Sequence, residues 1–179
     1  VSDLHCPARV FLARPGEDEL GPAGAGEALT AAGDALTGAG GALTAAGRDQ
    51  ARALGERLRG ENVARVWSSP LPSAAQTAEI AAAVLGVPVV VREGLRESDG
   101  GLPGGERIAD VVDRVRAVLE EVADTHRGEA VLVVSHGEAL GAGVPALVGA
   151  PRASARDLVP PPGDVLLLEA DEDGWRRLP

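Results

Sequence analysis

V131-L-V-V-S-H-G137 is the stretch on which the fold turns: four apolar residues in an unbroken run, then Ser-His-Gly. A half-exposed strand alternates apolar and polar residues. A run with no polar member reads as a short strand covered on both faces, as parallel sheets require. The spacing places this strand at Val131–Ser135. V10-F-L-A-R-P-G-E17 repeats the pattern near the start of the chain, with a strand at Val10–Ala13 that ends in Arg14-Pro15-Gly16.

Between these two runs, strand and helix patterns alternate. Thr44 can cap a helix in which Ala51, Leu54 and Leu58 recur at helical spacing, so the pattern predicts a helix over Thr44–Arg59, ended by Gly60. Val63–Trp67 reads as a buried strand. S68-S-P-L-P-S-A-A-Q-T-A78 turns into a helix reaching about Leu85, and Val87–Val91 is a further strand. The 100–105 segment is a loop. Glu106–Asp124 is an amphipathic helix with Ile108, Val111, Val112, Val115, Val118 and Leu119 on one face. A helix, a Pro160–Pro162 turn, a strand at Val165–Glu169 and a hairpin segment near Trp175 follow. This order predicts an α/β fold, a three-layer sandwich with a mostly parallel central sheet flanked by helices. Ligands of such sheets bind beyond the carboxyl ends of the strands, where Arg14, Ser68, Glu97 and His136 fall.

At 179 residues the chain reads as a single domain, its core built from Val, Leu, Ala and Ile because aromatics are only 2%. All 17 basic residues are Arg, and the net charge of −10 speaks against a nucleic-acid binder. Cys6 is the single cysteine, which excludes an intrachain disulfide and a Cys-based zinc site. Three scattered histidines imply no metal, and nothing implies a cofactor. With no signal-peptide pattern and no membrane-spanning run, the expected location is the cytoplasm. E27-A-L-T-A-A-G33, D34-A-L-T-G-A-G40 and G41-A-L-T-A-A-G47 form a seven-residue repeat. Glycine in every copy weakens a helix, so residues 21–41 read as a low-complexity loop.

L12-A-R-P-G-E17, S68-S-P-L-P-S-A-A-Q-T-A78, L95-R-E97 and V133-V-S-H-G137 stand in this order, with L43-T-A-A-G-R-D-Q-A51 and P103-G-G-E106 between them. In this set the chain resembles the histidine phosphatase superfamily, the phosphoglycerate-mutase-like proteins, over roughly residues 8–178. The resemblance implies that fold. It also implies a site in which a histidine after the first strand takes a phosphoryl group, two arginines and a second histidine grip the phosphate, and a glutamate donates a proton. Arg14 matches the first arginine, Glu97 the acid and His136 the second histidine. Pro15 stands where the nucleophile belongs, and Ser73 where the second arginine belongs. The asparagine that usually follows the first motif would fall near Gly21 and is absent. The lid-like segment between the Glu97 and Pro103 motifs is almost deleted.

These departures are chemical. Proline cannot form a covalent intermediate, and serine cannot replace a bidentate phosphate grip. Glu17, Asp18 and Glu19 further disfavour a phosphate dianion. The family's fold is therefore expected without its phosphohistidine chemistry. The favoured reading is a repurposed acid–base enzyme for elimination, isomerisation, cyclisation or hydrolysis of a small anionic molecule or carrier-bound substrate, with Glu97 and His136 exchanging protons. Arg14, Pro15, Gly16, Ser68, Ser73, Gly137 and Glu138 would line the substrate site, Glu138 as a possible extra acid. The alternatives are a binding or scaffolding pseudoenzyme and a residual phosphatase. No nucleic-acid or membrane partner is expected, and a homodimer is possible. Each residue also has a plainer reading. Arg14 can pair with Glu17 or Glu97, His136 can be a satisfied core histidine, Glu97 a solvated loop carboxylate, and Ser68 and Ser73 helix-start hydroxyls. Pro15 can mark decay of an unused site. His5 and His126 lie outside the motifs and read as surface residues.

Overall fold

The computed structural model describes residues 6–19, 41–99 and 104–179. Its frame is a six-stranded mixed sheet in the order β3-β2-β4-β1-β5-β6. The strands are β1 Ala8–Ala13, β2 Val63–Ser68, β3 Val89–Val91, β4 Ala130–Val134, β5 Val165–Asp171 and β6 Gly174–Arg177. β3, β2, β4 and β1 run parallel, while β5 and β6 join antiparallel to β1 and to each other. The helices are α1 Ala45–Leu58, α2 Pro72–Leu85, α3 Ile108–Thr125, α4 Gly137–Leu147 and the single turn α5 Ala155–Leu158.

Two-residue alternation in the central strands divides the core into two layers. Val10, Leu12, Val131 and Val133 face one way and pack with Val111, Val115 and Leu119 of α3 and Leu140 and Val144 of α4. Phe11, Ala13, Leu132 and Val134 face the other way, against Leu54 and Leu58 of α1 and Ala74, Ala78 and Ala81 of α2. With helices on both faces, β4 is buried at every residue, which is why its sequence shows no polar alternation. The α/β sandwich expected from the sequence is thus the architecture observed.

Local chemistry sets the boundaries, and some differ from expectation. Thr44 caps α1 by accepting the Gly47 N–H at 3.0 Å. α1 does not stop at Gly60; a 3-10 turn over Arg59–Glu61 continues it, and Asn62, at φ 54°, makes the left-handed exit. β3 begins at Val89 rather than Val87, because Pro88 offers no N–H to a ladder. Ile108 opens α3 at 39% exposure and leaves the buried face to begin at Val111. Gly41 lies just inside the described residues. The expected 21–41 loop otherwise falls on residues outside them, as does His5. Among the described residues, no helix is long and apolar enough to cross a membrane.

Candidate functional site

Strand register decides which residues meet at the carboxyl edge of the sheet. Ala13 pairs with Val134, and Ser68 pairs with Val134 from the other side. Arg14, Ser69 and Ser135–His136 therefore leave the sheet side by side. The hydrogen bonds Ser69 N–H to Val134 O and Ser135 N–H to Ala13 O continue the ladder by one step.

Side chains at Thr77, Gln50 and Thr44 hold the Arg14–Glu17 turn. Gly16 N–H donates to Thr77 Oγ1 at 3.1 Å, and Glu17 N–H donates to Gln50 Oε1 at 2.8 Å. Thr44 Oγ1 donates to Glu17 Oε1 at 2.9 Å. The backbones pack closely here: a Cβ on Gly16 would stand 2.5 Å from Gly47 O, and one on Gly47 would stand 2.0 Å from Glu17 O. Both positions require glycine. Pro15 thus sits in a rigid turn, with neither a nucleophilic atom nor an N–H.

Arg14 is half-buried and lies flat over Gly137, where a Cβ would be 3.4 Å from Cζ, Nε and Nη2. Its Nε is buried and has no hydrogen-bond partner among the described residues. Among the described residues neither Glu17 nor Glu97 pairs with it, so the ion pair considered for Arg14 does not form. A buried guanidinium nitrogen without an acceptor is costly unless a ligand supplies one.

His136 is 6% exposed and occupies the N-cap position of α4. Its Nε2 lies 2.8 Å from Ser69 Oγ, which also accepts the Leu71 N–H. In either tautomer Nε2 is therefore engaged by Ser69. Burial, and then the Arg14 charge, push the imidazole down to about 4; Asp18 opposes them and Arg114 adds to them. His136 is neutral at physiological pH.

Glu97 follows the turn after β3 and reaches over the first turn of α4. Its Oε1 accepts the N–H groups of Ala139 and Ser98, both at 2.9 Å, and Oε2 lies 3.3 Å from Glu138 N. It acts as a cap supplied from another segment, with its charge at the positive end of the helix. Arg114 clasps the loop that carries it, donating to the carbonyls of Gly94, Arg96 and Glu97 and bonding both oxygens of Glu106. Ser135 Oγ donates to Leu95 O at 2.7 Å and ties the same loop to β4.

Arg14, Glu97, Gly137, Glu138 and His136 thus converge on the first turn of α4. Burial, and then the charge of Glu97, hold the exposed Glu138 carboxyl above its usual range, while Arg152 pulls it back. Ser68 and Ser73 do not present hydroxyls to a pocket mouth: Ser68 is fully buried and donates to Ser69 O, and Ser73 is buried at the start of α2. His126 is no surface residue; it is buried against Trp67. Sequence reasoning passed over Ser69, Arg114 and Ser135. The doubled serine S68-S69 was the one available signal for Ser69.

The family model described as histidine phosphatase superfamily (branch 1) matches residues 26–102 and 98–178. The chain is 29% identical over 155 residues to "Probable phosphoglycerate mutase GpmB" of Salmonella choleraesuis, spanning 70% of this chain and 72% of that one. Bacillus stearothermophilus YhfR superposes with a TM-score of 0.77 at 25% identity over 95% of each chain. Mycobacterial glucosyl-3-phosphoglycerate phosphatase Rv2419c, solved with VO3, shares the fold at a TM-score of 0.75 and 23% identity, over 94% of this chain and 96% of that one. With most of its length matched and its strands in the expected order, the chain belongs to the histidine phosphatase superfamily.

Proposed function

We propose that this chain binds a small organic anion at the first turn of α4 and passes no phosphoryl group through histidine. The observation that carries the reading is Arg14, whose buried Nε lacks an acceptor among the described residues while its guanidinium lies on the first turn of α4 without a carboxylate partner there. Pro15 removes the nucleophile, and Ser73 removes a second phosphate-gripping cation. The two expected proton carriers are engaged elsewhere: His136 Nε2 with Ser69, and both Glu97 oxygens with backbone N–H groups. That balance favours binding over the acid–base chemistry expected from the sequence. His136 also makes a poor substitute nucleophile while its Nε2 is buried against Ser69.

A second reading, acid–base catalysis on the bound anion, draws support from Glu138. Two carboxylates in unlike surroundings, one capping a helix and one raised by burial and by its neighbour, are an arrangement that separates an acid from a base.

The test is calorimetric titration with butyrate and with propyl phosphate, alongside a phosphate-release assay and trapping of acid-labile phosphoprotein. Wild type should bind at least one anion, and Arg14→Gln should weaken that binding about tenfold, the worth of one charge-assisted contact. No phosphate release should rise above background. Pro15→His alone should not restore it, because Ser73 leaves the site an arginine short. Equal binding by Arg14→Gln, or a labelled His136, would sink the proposal.

A further inference from the structure

This site carries both signs of charge. Glu97 lies across the α4 turn, Glu138 is the next residue after Gly137, and Asp18 is near enough to act on the charge of His136. Arg114, the other cation within reach of His136, is committed to Glu106 and to three carbonyls. Among the described residues Arg14 and Arg152 are the cations here without a salt bridge, Arg152 acting on Glu138 by charge alone. A dianion with no cation of its own would meet three carboxylates there for two such guanidinium groups.

Glu138 complements Arg14. Among the described residues its carboxylate makes no hydrogen bond or salt bridge. Arg152 acts on it only by charge at a distance, and Glu97 repels it. Acidic groups at the near end of α3 are matched: Glu106 pairs with Arg114, and Asp110 with Arg107. The unmatched carboxylate and the unmatched guanidinium flank consecutive residues of one helical turn, since Arg14 packs on Gly137.

We infer that the site takes a small zwitterion, its anionic end on the Arg14 guanidinium and its ammonium on the Glu138 carboxylate. The inference rests on the reading of Arg14 as the anion holder and adds the cationic half of the ligand. The ammonium relieves the repulsion between Glu97 and Glu138, as the anion relieves the orphaned Arg14 Nε. Both gains come from groups that the protein leaves unpaired.

Two isosteric pairs test it by titration calorimetry: β-alanine against butyrate, and phosphoethanolamine against propyl phosphate. In each pair only an ammonium is exchanged for a methyl group. At least one pair should favour the ammonium compound by up to about fivefold, the effect of one charge pair at an exposed carboxylate. The pair that does so tells a carboxylate from a phosphate anionic end. Glu138→Gln should bring the ammonium compound down to the level of its isostere, whereas Arg14→Gln should weaken both members. Anions that bind through Arg14 with no ammonium preference would overturn this inference alone. So would a preference that survives Glu138→Gln. Failure of all four compounds to bind wild type would overturn the anion site and the zwitterion with it.

Discussion

His126 and His136 stand at opposite ends of β4 and are nearly equally buried, at 5% and 6% exposure, yet their rings meet different surroundings. His126 is satisfied at both nitrogens. Trp67 Nε1–H donates to its Nε2 at 3.3 Å, which leaves the ring proton on Nδ1 to donate to Glu129 Oε2 at 2.7 Å. Arg92 stacks on Trp67 at 4.6 Å and is itself paired with Glu121, which completes the cluster. His136 has Ser69 on one nitrogen and a partly orphaned arginine beside it. Burial alone does not separate a structural histidine from one at a site; the neighbours' unmet hydrogen bonds do.

That contrast should be widest in stability. His126→Ala removes two hydrogen bonds, strands the buried Trp67 N–H and opens space beneath α3. Its expected cost is about 4 kcal/mol in a urea unfolding curve. A loss under about 1 kcal/mol would mean that the cluster contributes little and that the two histidines are not opposites.

The next effect is in pH. An unfolded imidazole takes up its proton near 6.5, and His136 in the folded protein does so only near 4. Between those values the unfolded chain binds more protons, so this group's contribution to stability is full above about 6.5 and falls as the pH drops toward 4. The gap corresponds to about 3 kcal/mol. The stability difference between wild type and His136→Gln should therefore shift against wild type by roughly that much between pH 7.5 and pH 4. A pH-independent difference would show that His136 is not held neutral.

The same contrast shows what the sequence could reveal. β1 and β4 were legible because strands covered on both faces must be apolar throughout, and α1 because Thr44 is a good cap. His126 was not legible, because its burial depends on Trp67, 59 positions earlier, and no local pattern records that pairing. Part of the arrangement was legible. Arg14 and His136 follow strands whose register carries their ends to one edge, and the loop after β3 brings Glu97 to the same turn of α4. Their commitments were not legible. Whether Ser68 or Ser69 faces His136 depends on the point where β2 leaves the sheet, one residue's difference in a strand of alternating faces. That Glu97 would cap a helix 40 residues onward depended on the Arg114 clasp, a contact between the loop and the middle of α3.

The smallest expected effect decides most about Glu97. If its carboxylate is chiefly the cap of α4, Glu97→Gln keeps an acceptor for Ala139 N–H but removes a negative charge from the positive end of the helix. It also turns an amide N–H toward Glu138 N–H. A charge at a helix end contributes up to about 1 kcal/mol, which in a chain of this size lowers the melting temperature by about 2–4 °C. Salt should shrink the difference, because the interaction is electrostatic and partly exposed. An unchanged melting temperature would instead mean that the cap contributes nothing that the amide cannot replace. The charge on Glu97 would then be free of any structural duty, and a carboxylate kept beside Glu138 and Arg14 without a structural duty is better explained by proton exchange with a bound anion than by binding alone.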